Sequence, residues 1–326
     1  MKPFHALYAP GLCALWFGAV LAAVDAAWAQ YPTKPITMVV PFAAGGSSDA
    51  IARIIAEGMA KALRETIVVE NDGGAGGTTA TARIARAAPD GYAIIMGNMG
   101  THGAGPAQYP NLKYDPRQDF TPIGLSAGVP VVIVARKDFP AETLAEFVDY
   151  VKTNQDKINE AHAGVGSQTH AMCTLLQSIL HTRTARVAYR STGQAINDMV
   201  GGQVDFGCAA LTSAVGQIQA GTLKAFAIAS PRRADVIARV PTTIEAGLAE
   251  FQVSAWNAVF GPKDLPEDVL ARLNAAHVAA LDDAATRKRL MDIGGEIPEP
   301  AERTPAALRK LVESEVARWA SVMKGP

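Results

Sequence analysis

The chain has 326 residues, 49% hydrophobic and 19% charged, a globular composition with room for two domains that excludes a disordered or low-complexity protein. Its 30 basic and 31 acidic side chains leave a formal net charge of −1, with no Lys/Arg block. Nothing in that balance points to nucleic acid or an anionic membrane, so the expected partner is a small molecule.

Residues 1–29 stand apart. Lys2 supplies a positive start, Pro10 to Val24 is almost wholly apolar, and Ala27 and Ala29 flank Trp28 in the pattern a signal peptidase reads. A permanent anchor needs about 20 apolar residues, and Asp25 interrupts the run. The segment is expected to be a cleaved signal peptide, leaving a soluble exported chain that begins near Gln30. Export removes Cys13. Cys173 and Cys208 then sit in an oxidising compartment where one disulfide could form, but each lies in an apolar neighbourhood and two separate buried thiols are the expected state.

From Gln30 onward strands and helices alternate. Ile36–Val40 is an apolar, β-branched run ended by Pro41, after which Ile51, Ile54, Ile55, Met59 and Leu63 recur at helical spacing. Strands over Ile67–Glu70 and Tyr92–Met96, with a helix over Ala80–Ala87 between them, predict a mostly parallel sheet with helices on both faces. Gly100–Asp119 has no periodicity and predicts a long loop near the carboxyl ends of the strands, the edge where such folds bind ligands. Gly124, Gly128 and Pro130 mark a crossing, and Val131–Ala135 is expected to start a fresh strand.

The second half repeats the pattern. It predicts a helix over Thr143–Lys152, strands over Arg186–Tyr189, Val204–Ala209 and Leu223–Ser230, and a helix over Gln194–Val200. Val253–Phe260 then carries the chain back. Two amphipathic helices after Pro266, with Leu270, Leu273 and Leu281 on one and Leu308, Val312 and Trp319 on the other, must cover an existing sheet. The expected domains are residues 30–128 with 253–326 as one lobe and 129–252 as the other. Two crossing strands form a hinge that permits closure about a cleft.

Function centres on two glycine loops. Phe42 to Asp49 turns through Gly45 and Gly46 into a helix whose start carries Ser47 and Ser48. Ala161 to His170 turns through Gly164 and Gly166 into a second, with Ser167, Gln168 and Thr169 at its start. Each such end leaves backbone N–H groups at the positive pole of a helix dipole, an anion site. Neither loop contains Arg or Lys, so the expected binding groups are backbone amides, hydroxyls and dipoles. Gly46 and Gly166 are expected to need positive φ. Gly73–Gly77 fails the dinucleotide and P-loop spacings; it brings backbone close to a ligand or a loop, with Thr78 and Thr79 as hydroxyl donors.

His102 and His170 belong to no Ser/His/Asp spacing, HExxH helix or Gly-x-Ser-x-Gly elbow. His170 is placed to donate to a ligand, although structural roles are favoured for both. Asp205, between Val204 and Phe206, is expected to bond a neighbouring loop or reach the cleft, and Trp256 to be buried. No catalytic residue, metal or cofactor is expected.

The segments Val40–Asp49, Val69–Asn71 with Gly74–Gly77, Ala88–Tyr92, Gly164–Ser167 with His170, Gly201–Asp205, and Val240–Thr242 with Glu245–Gly247 closely resemble, in order, the Bug-type solute receptors of tripartite tricarboxylate transporters. The resemblance implies an α/β, two-lobed, type II-like periplasmic binding protein without enzymatic activity. It implies a monomer that closes over a small carboxylate, commonly a dicarboxylate, and delivers it to the transporter's membrane subunits. It places the first binding loop on Phe42, Ala43, Gly46, Ser47 and Ser48 and the second on Gly166, Ser167, Gln168, Thr169 and His170, with Tyr189 and Asp205 at later binding positions. The chain departs from the family at Thr78-Thr79, where Asn and Gly are usual, and at Ala188–Ser191, where Pro-Tyr-Lys-Gly is usual. An exported hydrolase using the same cleft, or a sensory receptor presenting the closed form, are the competing readings.

Overall fold

A single 17-residue strand, β4 (Phe120–Arg136), ties the molecule together. Its first part pairs antiparallel with β9 (Ser254–Pro262), from Phe120 opposite Pro262 to Pro130 opposite Ser254. From Val131 onward it pairs instead with β7 (Phe206–Ala210) and β8 (Leu223–Ala229). The expected fresh strand at Val131 is therefore the second half of one strand. Irregular register between Pro122 and Gly124 and between Leu125 and Ala127 lets the chain keep pairing through its Gly and Pro residues.

The computed structural model describes residues 31–323; the expected signal segment, residues 1–29, lies outside the described residues. On one side of β4 the order is β2 (Ile67–Asn71), β1 (Ile36–Val40), β3 (Ala93–Asn98) and β9. On the other it is β7, β5 (Asn159–His162) and β6 (Ala185–Ala188), with β8 paired to β4. Pairs β1–β2, β1–β3, β5–β6 and β5–β7 are parallel. The sheet is nonetheless mixed, because β4 and β9, which pass between its two halves, run antiparallel to their neighbours.

Helix α1 (Ser47–Leu63) buries Ile51, Ile54, Ile55, Met59 and Leu63 and ends on Arg64 in the left-handed region. Helix α2 (Thr78–Ile84) starts earlier than expected, directly from the turn Ala75–Gly77. The segment expected as a loop begins with a wide π-type turn over Gly100–Ala104 that runs into α3 (Gly105–Gln108). Helix α4 (Leu144–Asn154) opens on a capping box in which Thr143 and Glu146 each bond the other's backbone N–H. Helices α5 (Gln168–Leu180), α6 (Thr192–Val200) and α7 (Leu211–Gln219) each follow a strand.

The C-terminal apolar stripes form α8 (Glu267–Asp282) and α10 (Pro305–Val322), with the extra helix α9 (Ala284–Asp292) between them. A Cβ on Gly58 of α1 would lie 2.7 Å from that of Ala280 of α8, so glycine sets how closely the two helices pack. Trp319 and Trp256 are both buried, sharing the Glu315 carboxylate as hydrogen-bond acceptor. No helix among the described residues is long and apolar enough to cross a membrane.

Cys173 and Cys208 correct the expectation of separate thiols. Packing of α5 on β7 brings their Cα atoms to 5.4 Å, and the two sulfurs are joined in a disulfide that closes a 35-residue separation.

Candidate functional site

The loops leaving the carboxyl ends of β1, β3, β5, β6 and β7 converge on one cleft. In the first, Gly45 adopts φ +88° and turns the chain onto α1. The turn is fixed from inside: Gly45 N–H donates to Asp49 Oδ2 at 3.0 Å, while Asn71 and Arg53 hold Oδ1. Burial pushes the Asp49 carboxyl up, but these hydrogen bonds and the Arg53 charge outweigh it and hold Asp49 below the usual range. Gly46 is the N-cap of α1 and supplies no side-chain acceptor, so the first N–H groups of that helix are left for other partners. Its own φ is −95°, an extended conformation, which corrects the expectation of positive φ there.

The second loop turns through Gly164 (φ +93°) and Gly166 (φ +86°) onto α5. Here the N-cap Ser167 accepts from His170 N–H at 3.2 Å, and Thr169 Oγ1 accepts from Ala163 N–H at 2.9 Å. A third helix start, Ser191-Thr192 at α6, is aimed at the first loop: a Cβ on Gly46 would sit 3.6 Å from Thr192 N. Ser191 caps α6 by accepting from Gln194 N–H, the Ser-x-x-Gln signature of a helix start.

Between these starts lies a narrow void of about 10 Å³ lined by Phe42, Gly46, Ser47, Ser48, Asp49, Asn98, Ala163, Ser167, Gln168 and Thr192. That is the room of about one water, so a larger ligand needs the two halves to move apart. No lining residue is a cation. The positive potential available comes from backbone N–H groups, hydroxyls and the N-terminal ends of α1, α5 and α6.

The halves meet around this cavity. Ala43 N–H donates to Arg190 O at 3.1 Å, and the Arg190 guanidinium donates back to Gly73 O at 3.1 Å. Ser47 Oγ and Thr212 Oγ1 are 2.5 Å apart. Gly166 N–H and the His170 ring both bond Gln108 Oε1. Burial, with His162 and Arg186 nearby, lowers His170 to about 4, so its ring is neutral at pH 7.

The structure thus gathers Phe42, Gly46, Ser47, Ser48, Ser167 and Gln168 on the cavity wall, with Ala43, Gly166, Thr169 and His170 immediately behind it. Thr78 and Thr79 lie outside: Thr78 Oγ1 donates to Ala75 O and Thr79 is exposed. Tyr189 turns its hydroxyl to Asp198 at 2.8 Å on α6. Asp205 sits at the other end of β7 from the cleft, ion-paired with Arg136 at 2.9 Å and accepting from Asn159 N–H, so it braces strand ends. Asp49, Asn98, Ala163 and Thr192 were missed. The available signals were the capping pattern at Ser191 and a lone Asn on each of two apolar strands, Asn98 at the end of one and Asn257 inside the other. Those two face each other across the β3–β9 pair.

Two α/β lobes around a small polar cavity, with helix starts converging from both, are the architecture of a periplasmic solute-binding protein. Residues 51–325 match the family described as tripartite tricarboxylate transporter family receptor, and the chain belongs to that family. Among solved structures it resembles MatC (Rpa3494) from Rhodopseudomonas palustris with bound malate, at 46% identity and TM-score 0.88, covering 90% of this chain and 100% of that one. It is also similar to the periplasmic binding protein BugD, at 41% identity and TM-score 0.87, over 90% of this chain and 98% of BugD. A third likeness is R. palustris Rpa4515 with adipate, at 28% identity and TM-score 0.86, over 90% and 98%.

Proposed function

We propose that this protein is a periplasmic receptor that captures a small dicarboxylate between two lobes and hands it to the membrane subunits of a tripartite tricarboxylate transporter, without chemistry. The observation that carries the reading is the opposition of the α1 and α5 N-termini across a cavity with no cationic side chain. One carboxylate meets each helix start, held by backbone N–H groups and hydroxyls. The lobes are residues 30–128 with 253–326 and residues 129–252, and β4 and β9 form the hinge.

Malate in MatC and adipate in Rpa4515 support a diacid, and the greater similarity to MatC, 46% identity against 28%, favours the shorter one. The chain works as an exported monomer after loss of its signal segment. A thermal-shift screen of mono-, di- and tricarboxylates tests the reading. A short diacid at 100 times its dissociation constant adds about 2.7 kcal/mol of stability and is recovered unchanged after incubation. No shift with any diacid, or conversion of the bound acid, overturns it.

A further inference from the structure

We propose that Arg186 is a positioning residue for closure: it fixes the tautomer of His170 so that the ring's Nδ1–H clasps Gln108, which reaches the second glycine loop from the other lobe. The inference rests on the receptor reading above and concerns how the filled cleft is held shut.

A donor-and-acceptor account of the His170 ring carries it. Arg186, on β6, brings a guanidinium nitrogen to 3.0 Å from His170 Nε2. A guanidinium has donors only, so Nε2 must present its lone pair. The one proton of the neutral imidazole then sits on Nδ1, which meets Gln108 Oε1. Gly166 N–H donates to the same Oε1 at 3.1 Å, which sets the orientation of the amide. Both donors belong to the second glycine loop and the start of α5, and the acceptor belongs to α3.

The groups around the ring keep it neutral. The His162 ring of β5 has its centroid 4.8 Å away, and burial lowers its proton affinity too. The Arg186 charge opposes protonation of both histidines. Glu160, also of β5, is fully buried and anchors the guanidinium, its Oε2 lying 3.7 Å from Arg186 Nε. Without Arg186 nothing holds the proton on Nδ1, and the Nε2–H tautomer turns a lone pair toward Gln108 Oε1. Flipping the Gln108 amide does not repair this, because its NH2 group then meets Gly166 N–H donor to donor.

Two measurements on the full exported chain at pH 7.5 test this. The Arg186–His170 bond lies within one lobe, so nitrogen-15 NMR of the unliganded protein reads the tautomer directly. The wild type is expected to carry Nδ1–H, and Arg186→Met to shift His170 toward Nε2–H. Calorimetry with butanedioate and 2-hydroxybutanedioate reads the clasp. Arg186→Met is expected to raise Kd about fivefold, the loss of one hydrogen bond. In His170→Asn the amide N–H stands in for Nδ1–H and needs no tautomer, so adding Arg186→Met there is expected to change Kd by less than about twofold. Should Arg186→Met fail to fold, combining it with Glu160→Gln removes the buried carboxylate left unpaired and serves the same comparison. An Nε2–H ring in the wild type, or equal loss of affinity in both backgrounds, overturns the inference and leaves the receptor standing. A wild type that binds neither acid overturns the receptor reading, while the NMR still decides whether Arg186 sets the ring.

Discussion

Tyr109 reaches across the cleft mouth and places its hydroxyl 2.6 Å from Val165 O and 3.0 Å from Ala75 O. It joins the turn before α2 to the second glycine loop without lining the cavity. Tyr109→Phe is expected to lose one hydrogen bond worth about 1 kcal/mol, raising Kd roughly fivefold through faster release. Stopped-flow dissociation measures it. An unchanged release rate would mean that closure does not use this latch.

The two loops differ in how they tolerate bulk. A Cβ on Gly166 collides with the Tyr109 ring and forces an L-residue to φ +86°, whereas Gly46 has extended φ and ordinary contacts to the α6 start. Gly166→Val is therefore expected to abolish ligand binding and to lower stability by about 1–3 kcal/mol, the usual cost of such strain. Gly46→Val is expected to keep wild-type stability while blocking the cavity. Parallel thermal melts and titrations distinguish the two; equal destabilisation by both would contradict the difference in backbone geometry.

The Cys173–Cys208 link pins α5, whose start forms the second loop, to β7. Closing a loop of this length restrains the unfolded chain by about 3–4 kcal/mol. Reduction, or the double change Cys173→Ala with Cys208→Ala, should lower the urea midpoint accordingly. Titration of two free thiols in the air-oxidised protein would refute the pairing.

Acid should unfold this protein through its histidines. Burial holds His102 and His277 at about 3, and burial with His162 and Arg186 holds His170 at about 4. Unfolded, each returns to about 6.5, so the folded state binds fewer protons and stability rises with pH from about 4 to about 6.5. Buried Glu160 works the other way. Burial pushes it up to about 7 despite Arg186 and Gln177, so its contribution falls as pH climbs through the same window. Three histidines outweigh one carboxyl, and Glu160→Gln should steepen the rise. Urea midpoints at pH 4.5, 5.5 and 6.5 check this; a midpoint that falls with pH would contradict it.

Local chemistry made the first loop readable, since a β-branched run, Pro41, two glycines and three capping residues all point to one strand–turn–helix. The alternation of elements gave the fold class and the returning strand before α8. Contacts between distant segments were not readable. Whether Asn98 and Asn257 meet depends on the β3–β9 register, and whether Cys173 reaches Cys208 depends on how α5 lies on β7. An acid on a buried strand demands a partner, which favours a structural role for Asp205, but only topology reveals that the partner is Arg136. Thr78 and Thr79 were credited to a ligand because a glycine turn before a helix has the same local grammar whether it faces a cavity or solvent.

The account's central claim is that helix starts and backbone amides, not a basic side chain, hold the anion. Arg190 is the nearest rival, but its guanidinium bonds Gly73 O and does not line the cavity. Calorimetry of a short diacid with Arg190→Ala and Gly166→Val is the direct measurement. The account predicts that Arg190→Ala binds within about tenfold of the wild type, the loss of one bond across the cleft, while Gly166→Val shows no binding. Abolished binding in Arg190→Ala together with normal binding in Gly166→Val would contradict it.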